Sequence, residues 1–258
     1  MIKTLFVPFK RCALVALLQA LVCMPLLAQS QTPAQAKAEA TVPGYLIVLG
    51  RSFDRNKIIA YSATLPPIYA ETGGRYIGQG RPGSGVTCLY GLCEGRSAIV
   101  AFWPDQRGIE AFWWGDAYRK AIRLRDRAGV FTVVGLKAAV YVAPYDAGAL
   151  LIGNMSLPAS GLPDRGPAQT WIDAATAAGA RLLAPFTSAA ATPLEGDALY
   201  NHIALLSFES KEKRDAFATS AATKSLLAAG PPSIVVSIIA IDAPPPAPTS
   251  PAALPAAK

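Results

Sequence analysis

Short apolar runs alternate with longer stretches of helical spacing from about residue 43 to residue 242. GYLIVLG (44–50) reads as a strand, and residues 54–72 read as a helix strained at its middle by Pro66 and Pro67. GRYIGQG (74–80) and SAIVAFW (97–103) are two further strands. Pro104 and Asp105 open a second helix, and the β-branched run GVFTVVGL (129–136) closes the set. The order is βαββαβ, the split-βαβ pattern of a ferredoxin-like sandwich.

The same order then returns. ALLIGNM (149–155), a helix around 169–178, ARLLAPF (180–186), NHIALLSF (201–208), a helix over 211–228 and SIVVSIIAI (233–241) follow one another. Gly44 and Ala149, Trp103 and Phe208, and Phe112 and Phe217 each stand 105 residues apart. The expectation is a duplicated domain, with a first ferredoxin-like unit over 43–137, a diverged second over 138–242, and KAAVYVAPYDAG (137–148) as the link. A four-stranded antiparallel sheet with helices on one face needs a cover on the other. The fold expected is therefore α+β, two ferredoxin-like βαββαβ units packed sheet-to-sheet as an intramolecular dimeric α/β barrel. Two separate units, each with its own partner, are the alternative.

The ends change the picture. Lys3, Lys10 and Arg11 precede ALVALLQALVCMPLLA, so residues 1–28 read as a secretory signal cleaved near Ala28 to Ser30, with a periplasmic or secreted destination. A membrane anchor is the other reading, but the run falls short of the ~20 apolar residues a bilayer needs and Pro25 interrupts it. Cys23 suggests a lipoprotein, yet Val22 stands where that processing prefers a small residue. Residues 29–42 read as a flexible segment, and the Pro/Ala-rich residues 243–258 as a disordered tail. Loss of the signal removes three cations and no acid, so the formal charge of +7 falls by three to +4. That excess is too small to point to nucleic acid. Cys88 and Cys93 remain, flanking LYGL, and in an exported chain they are expected to form a disulfide on a hairpin. A metal site would need further ligands, and the single histidine, His202, is distant in sequence.

The residues of the first unit resemble a known family. GYLIV, LPPIYAETGGRYIGQG and IVAFWPD…EAFWWGDAYRKAIRLR resemble the domain-of-unknown-function 1330 family of the dimeric α/β-barrel superfamily. The features that carry it are Gly44–Tyr45, Tyr69 with Gly73–Gly74–Arg75, Trp103–Pro104–Asp105, Phe112–Trp113, Gly115 and Tyr118, over residues 44–136. The second unit keeps the order of elements and loses most of the motif. Ala218, Thr219 and Thr223 stand where Trp113, Trp114 and Tyr118 stand, and only Gly179–Ala180–Arg181 echoes the glycine turn. The resemblance implies no common activity. Superfamily relatives include cofactor-free monooxygenases, haem-linked enzymes and isomerases that hold a small hydrophobic molecule between sheet and helices.

Tyr45, Tyr69, Arg75, Trp103, Trp113 and Tyr118 are the candidate ligand-binding residues, placed on elements that flank the space between sheet and helices. Arg75 suits a carboxylate or enolate, and Tyr118 a hydrogen bond or weak acid. Against this stands a plain core of aromatics, with Arg75 capping the first helix. No cofactor is expected: His202 as a haem ligand would be a lone residue on an apolar strand, and GQGRPGSG (78–85) reads as a flexible loop, not a dinucleotide fingerprint. Arg119, Lys120, Arg123, Arg125 and Arg127, broken by Asp126, read as a solvated face; contact with anionic lipid or an acidic partner is the sharper alternative. The function expected is binding of a small hydrophobic or aromatic ligand in the first unit, with cofactor-independent oxidation or isomerisation open. The rival is a non-catalytic interaction module in which Trp113 and Trp114 serve an interface. Partners beyond such a ligand are limited to further oligomerisation of the pseudo-dimer, with neither nucleic acid nor a lasting membrane span.

Overall fold

Apolar runs become strands wherever both of their faces are covered. β1 (Gly44–Ser52) lies between β4 (Ser97–Trp103) and β5 (Gly129–Lys137), antiparallel to both. β2 (Arg75–Pro82) adds to the far side of β4. In a computed structural model that describes residues 41–146, 149–157, 166–196, 200–229 and 234–242, these four strands run in the order β2-β4-β1-β5. The expected export signal with its cleavage region at Ala28 to Ser30, nearly all of the segment 29–42, and the tail 243–258 lie outside the described residues.

β6 (Ala149–Ser156), β7 (Arg181–Leu182), β9 (His202–Phe208) and β10 (Ile234–Ile241) stand in the order β7-β9-β6-β10. Numbered within each half, the two orders are the same. Gly44 pairs with Trp103 and Ala149 pairs with Phe208, so strand register also agrees between the halves. β7 is far shorter than the run 180–186 suggests. Pro185 has no amide proton to continue a ladder, and the chain turns in to bury Leu183, Ala184 and Phe186.

Two strands without a strong sequence signal, β3 (Gly85–Gly91) and β8 (Ala191–Glu195), complete one curled mixed sheet of ten. β3 pairs parallel with β2 and antiparallel with β10, and β8 pairs antiparallel with β5. GQGRPGSG is thus the end of β2 and a tight turn, in which Arg81 and Ser84 exchange backbone hydrogen bonds of 2.7 and 2.8 Å, and not a flexible loop. Gly83 and Gly85 there have φ of 74° and 83°, conformations that cost glycine nothing. The Cys88–Cys93 disulfide is present, but it closes a loop at the end of β3, a strand paired across to β10, and not a hairpin.

The first long helix breaks near its prolines, and the stretch 211–228, read as one helix, breaks at Thr219 and Ser220. Asp54 caps α1 (Arg55–Ala63), accepting from the Lys57 amide at 3.1 Å, and the chain restarts at Thr64 as α2 (Leu65–Thr72), with Pro66 and Pro67 in its first turn. Gly115, in extended conformation, separates α3 (Gln106–Trp114) from α4 (Asp116–Ala121). α5 (Gly166–Ala177), α6 (Lys211–Ala218) and α7 (Ala221–Ala228) cover the strands of the second half. Three buried clusters result. One fills the space behind β1 and β4 with α2, α3 and α4; one does the same for the second half; the third mixes Tyr45, Ile47, Val100 and Phe102 with Leu150, Ile152, Leu205 and Ile239 from the other half. β1 shows the alternation: Tyr45 and Ile47 face the mixed cluster, Leu46 and Val48 the helices.

Candidate functional site

Behind the first sheet the helices bury a continuous layer of rings. Tyr69 lies 5.3 Å from Trp103 and 4.6 Å from Phe112, and Tyr118 lies 4.5 Å from Phe112 and 4.9 Å from Trp113, centroid to centroid. The layer is oriented from below by the glycine turn. Gly73 ends α2 at φ 76°, and a methyl group on Gly74 would run into the Trp103 indole, whose Nε1 donates to Thr72 Oγ1 at 3.2 Å.

Rings do not fill this space completely. A cavity of about 250 Å³ opens between β1, α1 and α2, walled by Tyr61, Tyr69, Tyr76, Phe112, Tyr118 and Phe131 together with Leu46, Val48, Ile58 and Leu65. The hydroxyls of Tyr61 and Tyr118 are 3.1 Å apart. Arg125 closes one end. Its guanidinium lies 4.1 Å from the Phe131 ring centroid and 5.2 Å from that of Tyr61. Nη1 donates to Glu195 Oε1 at 2.8 Å, and Nη2 donates to Oε2. Arg125 is only 6% exposed, and Glu195 is 28% exposed.

Burial sets the protonation of the site. It pushes the Tyr76 phenol up to about 12 and raises Tyr61, Tyr69 and Tyr118 from their ordinary value as well. These hydroxyls are neutral donors at physiological pH and not bases. Burial opposes the charge of Arg125, but the hydrogen-bonded Glu195 carboxylate outweighs it and holds the guanidinium protonated.

The six candidates divide between two faces. Tyr69 and Tyr118 line the cavity, with Trp103 and Trp113 packed in the ring layer beside it. Tyr45 and Arg75 do not share this space. The alternation of β1 carries Tyr45 into the mixed cluster, where its hydroxyl reaches Val142 O at 3.4 Å. Arg75 is exposed, its guanidinium 5.1 Å from the Phe102 ring, on the face opposite Trp103. Arg125, Tyr61, Tyr76 and Glu195 occupy the site instead of them. Arg125 stands within the basic stripe that reads as solvated; burial and Glu195 separate it from its neighbours.

The three rings of α3 also divide. Phe112 and Trp113 are core, and Trp114 is 61% exposed, with Arg119 5.8 Å from its centroid. His202 is buried in the other half, Nδ1 2.7 Å from Asn201 Oδ1 and its ring 5.2 Å from Phe186. Among the described residues no three His, Cys, Asp or Glu side chains gather as a metal site would require, and no helix is long and apolar enough to cross a membrane.

Residues 43–139 match the family described as domain of unknown function (DUF1330). No curated protein matches the chain. Among solved structures, it is similar to a candidate monooxygenase from Lactobacillus acidophilus at 13% identity and a TM-score of 0.42, over 78% of this chain and 94% of that one. A protein of unknown function from Rhodopseudomonas palustris shares 19% identity at a TM-score of 0.30, over 38% and 84%. A mutant chlorite dismutase from Candidatus Nitrospira defluvii shares 11% at 0.42, over 79% and 92%.

Proposed function

We propose that the DUF1330 segment of this chain binds a small, largely hydrophobic or aromatic molecule between its sheet and its helices. The cavity of about 250 Å³ behind β1 carries the reading, because it joins aromatic walls to a cluster of polar groups at one end. Its volume lies just under the ~300–1,000 Å³ usual for drug-sized ligands, which limits the occupant to a compact molecule. Tyr61, half-buried, and Tyr118, buried, both neutral and beside Arg125, suit a carbonyl, enolate or carboxylate oxygen. Cofactor-independent oxidation or isomerisation of such a molecule is compatible with that arrangement. The protein is read as exported, on the basic and then apolar leader over residues 1–28. The shared strand order and register of the two halves support a duplicated chain folded as an intramolecular dimeric α/β barrel.

The second reading, an interaction module, is favoured by Trp114. Its exposed indole borders a cleft formed by α3 and by Thr192, Pro193 and Leu194 of β8.

Calorimetric titration of the full chain with indole and 2-naphthol separates the two. Saturable binding is expected for the natural protein and loss of it for Val48→Phe, which fills the cavity from β1, whereas Trp114→Ala leaves binding intact. Equal behaviour of the natural chain and Val48→Phe would dismiss the ligand reading.

A further inference from the structure

Arg125 borders two spaces. On its inner side lies the aromatic cavity; on its outer side lies a polar cleft of about 260 Å³, lined by Arg119, Arg123, Arg127 and Glu195. Phe131 borders both as well. The two spaces are thus separated by one guanidinium, one ring and the carboxylate that Arg125 holds. We propose that Glu195 is a built-in stand-in for a ligand's carboxylate, so that the site takes a small aromatic or aliphatic monocarboxylate whose head displaces Glu195 from Arg125 and whose tail fills the cavity.

Four observations carry this. First, Arg125 already grips a planar carboxylate through both terminal nitrogens, so the site is shaped for that group. Second, Glu195 is a partner that can leave. It ends β8, a five-residue edge strand bound only to β5, beyond a register shift between Val134↔Pro193 and Val133↔Glu195, and it is partly exposed. Third, Arg119, Arg123 and Arg127, opposed only by Asp126 and Glu195 among the cleft's lining residues, make the outer cleft cationic, which concentrates anions at the mouth. Fourth, the inner face of Arg125 meets rings and the Tyr61–Tyr118 hydroxyl pair, which offer donors to an oxygen and apolar walls to a tail. Glu195 comes from the second half of the chain and Arg125 from the first, so the second half contributes directly to the site it flanks. The inference deepens the binding reading above and rests on it.

3-Phenylpropionate and its neutral amide, 3-phenylpropanamide, are suitable probes of the full chain by calorimetry. Glu195→Gln is expected to tighten the acid at least tenfold and to leave the amide within twofold, and Arg125→Gln to abolish the preference for the acid. Hydrogen exchange on the unmodified protein needs no variant to fold: the acid, and not the amide, is expected to speed exchange in β8 as Glu195 is released. An acid-to-amide ratio unmoved by Glu195→Gln, or acid binding that leaves β8 exchange unchanged, overturns the proposal while the binding reading stands. Failure of both probes to bind either protein overturns the binding reading itself.

Discussion

A guanidinium that is 6% exposed needs partners, and Arg125 has a carboxylate, the Phe131 ring and two tyrosines around it. None of this is legible locally. Its sequence neighbours Arg123 and Arg127 are exposed cations, and the residue that distinguishes it, Glu195, lies 70 positions away on a strand with no hydrophobic period of its own. Tyr69 and Tyr118 were within reach of sequence reasoning because they stand in a recognisable motif. Tyr45 and Arg75, in the same motif, face the other way because side chains alternate along a strand, and a motif does not record which face is which. The tyrosines also set the alkaline limit of the fold. Burial holds Tyr76 protonated to about 12, and Tyr61, Tyr69 and Tyr118 are raised too, whereas the unfolded chain releases these protons near 10. The folded state therefore binds more protons above pH 10, and stability that is complete below that pH is lost as pH rises through about 12. A phenolate absorbance titration is expected to run later and more steeply for the native chain than for the urea-unfolded one, together with loss of circular dichroism. Coincident titration curves would contradict it.

At the level of elements, the apolar runs and the punctuation by Pro66 and Pro67 made most helices and strands readable, since those signals act within a few residues. β3 and β8 were not readable. GVTCLYG and ATPLE become strands because β10, β2 and β5 supply ladders, and long-range pairing overrides weak local preference. The disulfide belongs to this scale. It closes a short loop at the end of β3, where chain-entropy bookkeeping assigns about 2 kcal/mol. β3 links the two halves of the sheet, so the loss is expected to be felt on both sides. The double variant Cys88→Ser, Cys93→Ser is expected to be less stable by about that amount in urea, with faster amide exchange in β3 and β10. Unchanged exchange in β10 would show that the bridge acts only within its own loop.

For the molecule as a whole, the cluster that mixes residues of both halves is the decisive contact. Tyr45, Ile47, Val100, Phe102 and Leu136 from one half meet Leu150, Ile152, Leu205 and Ile241 from the other. A fragment restricted to residues 41–146 would bare that face, as well as removing β8 and Glu195 from the site. Sedimentation of the fragment is expected to show concentration-dependent self-association, since large apolar patches do not stay in water; a well-behaved monomer would argue that the halves fold independently of this contact.

The strand order has one more consequence. Among the described strands, the sheet ends on β7, two residues long, and on β8, which carries Pro193. β9 meets β7, and β2 meets β3, over only two residue pairs each, but the strands at the two ends of the sheet are short or carry a proline, so those ends offer few free backbone amides to a passing chain. Growth of a fibril by strand addition at either end is therefore disfavoured by the way the sheet terminates.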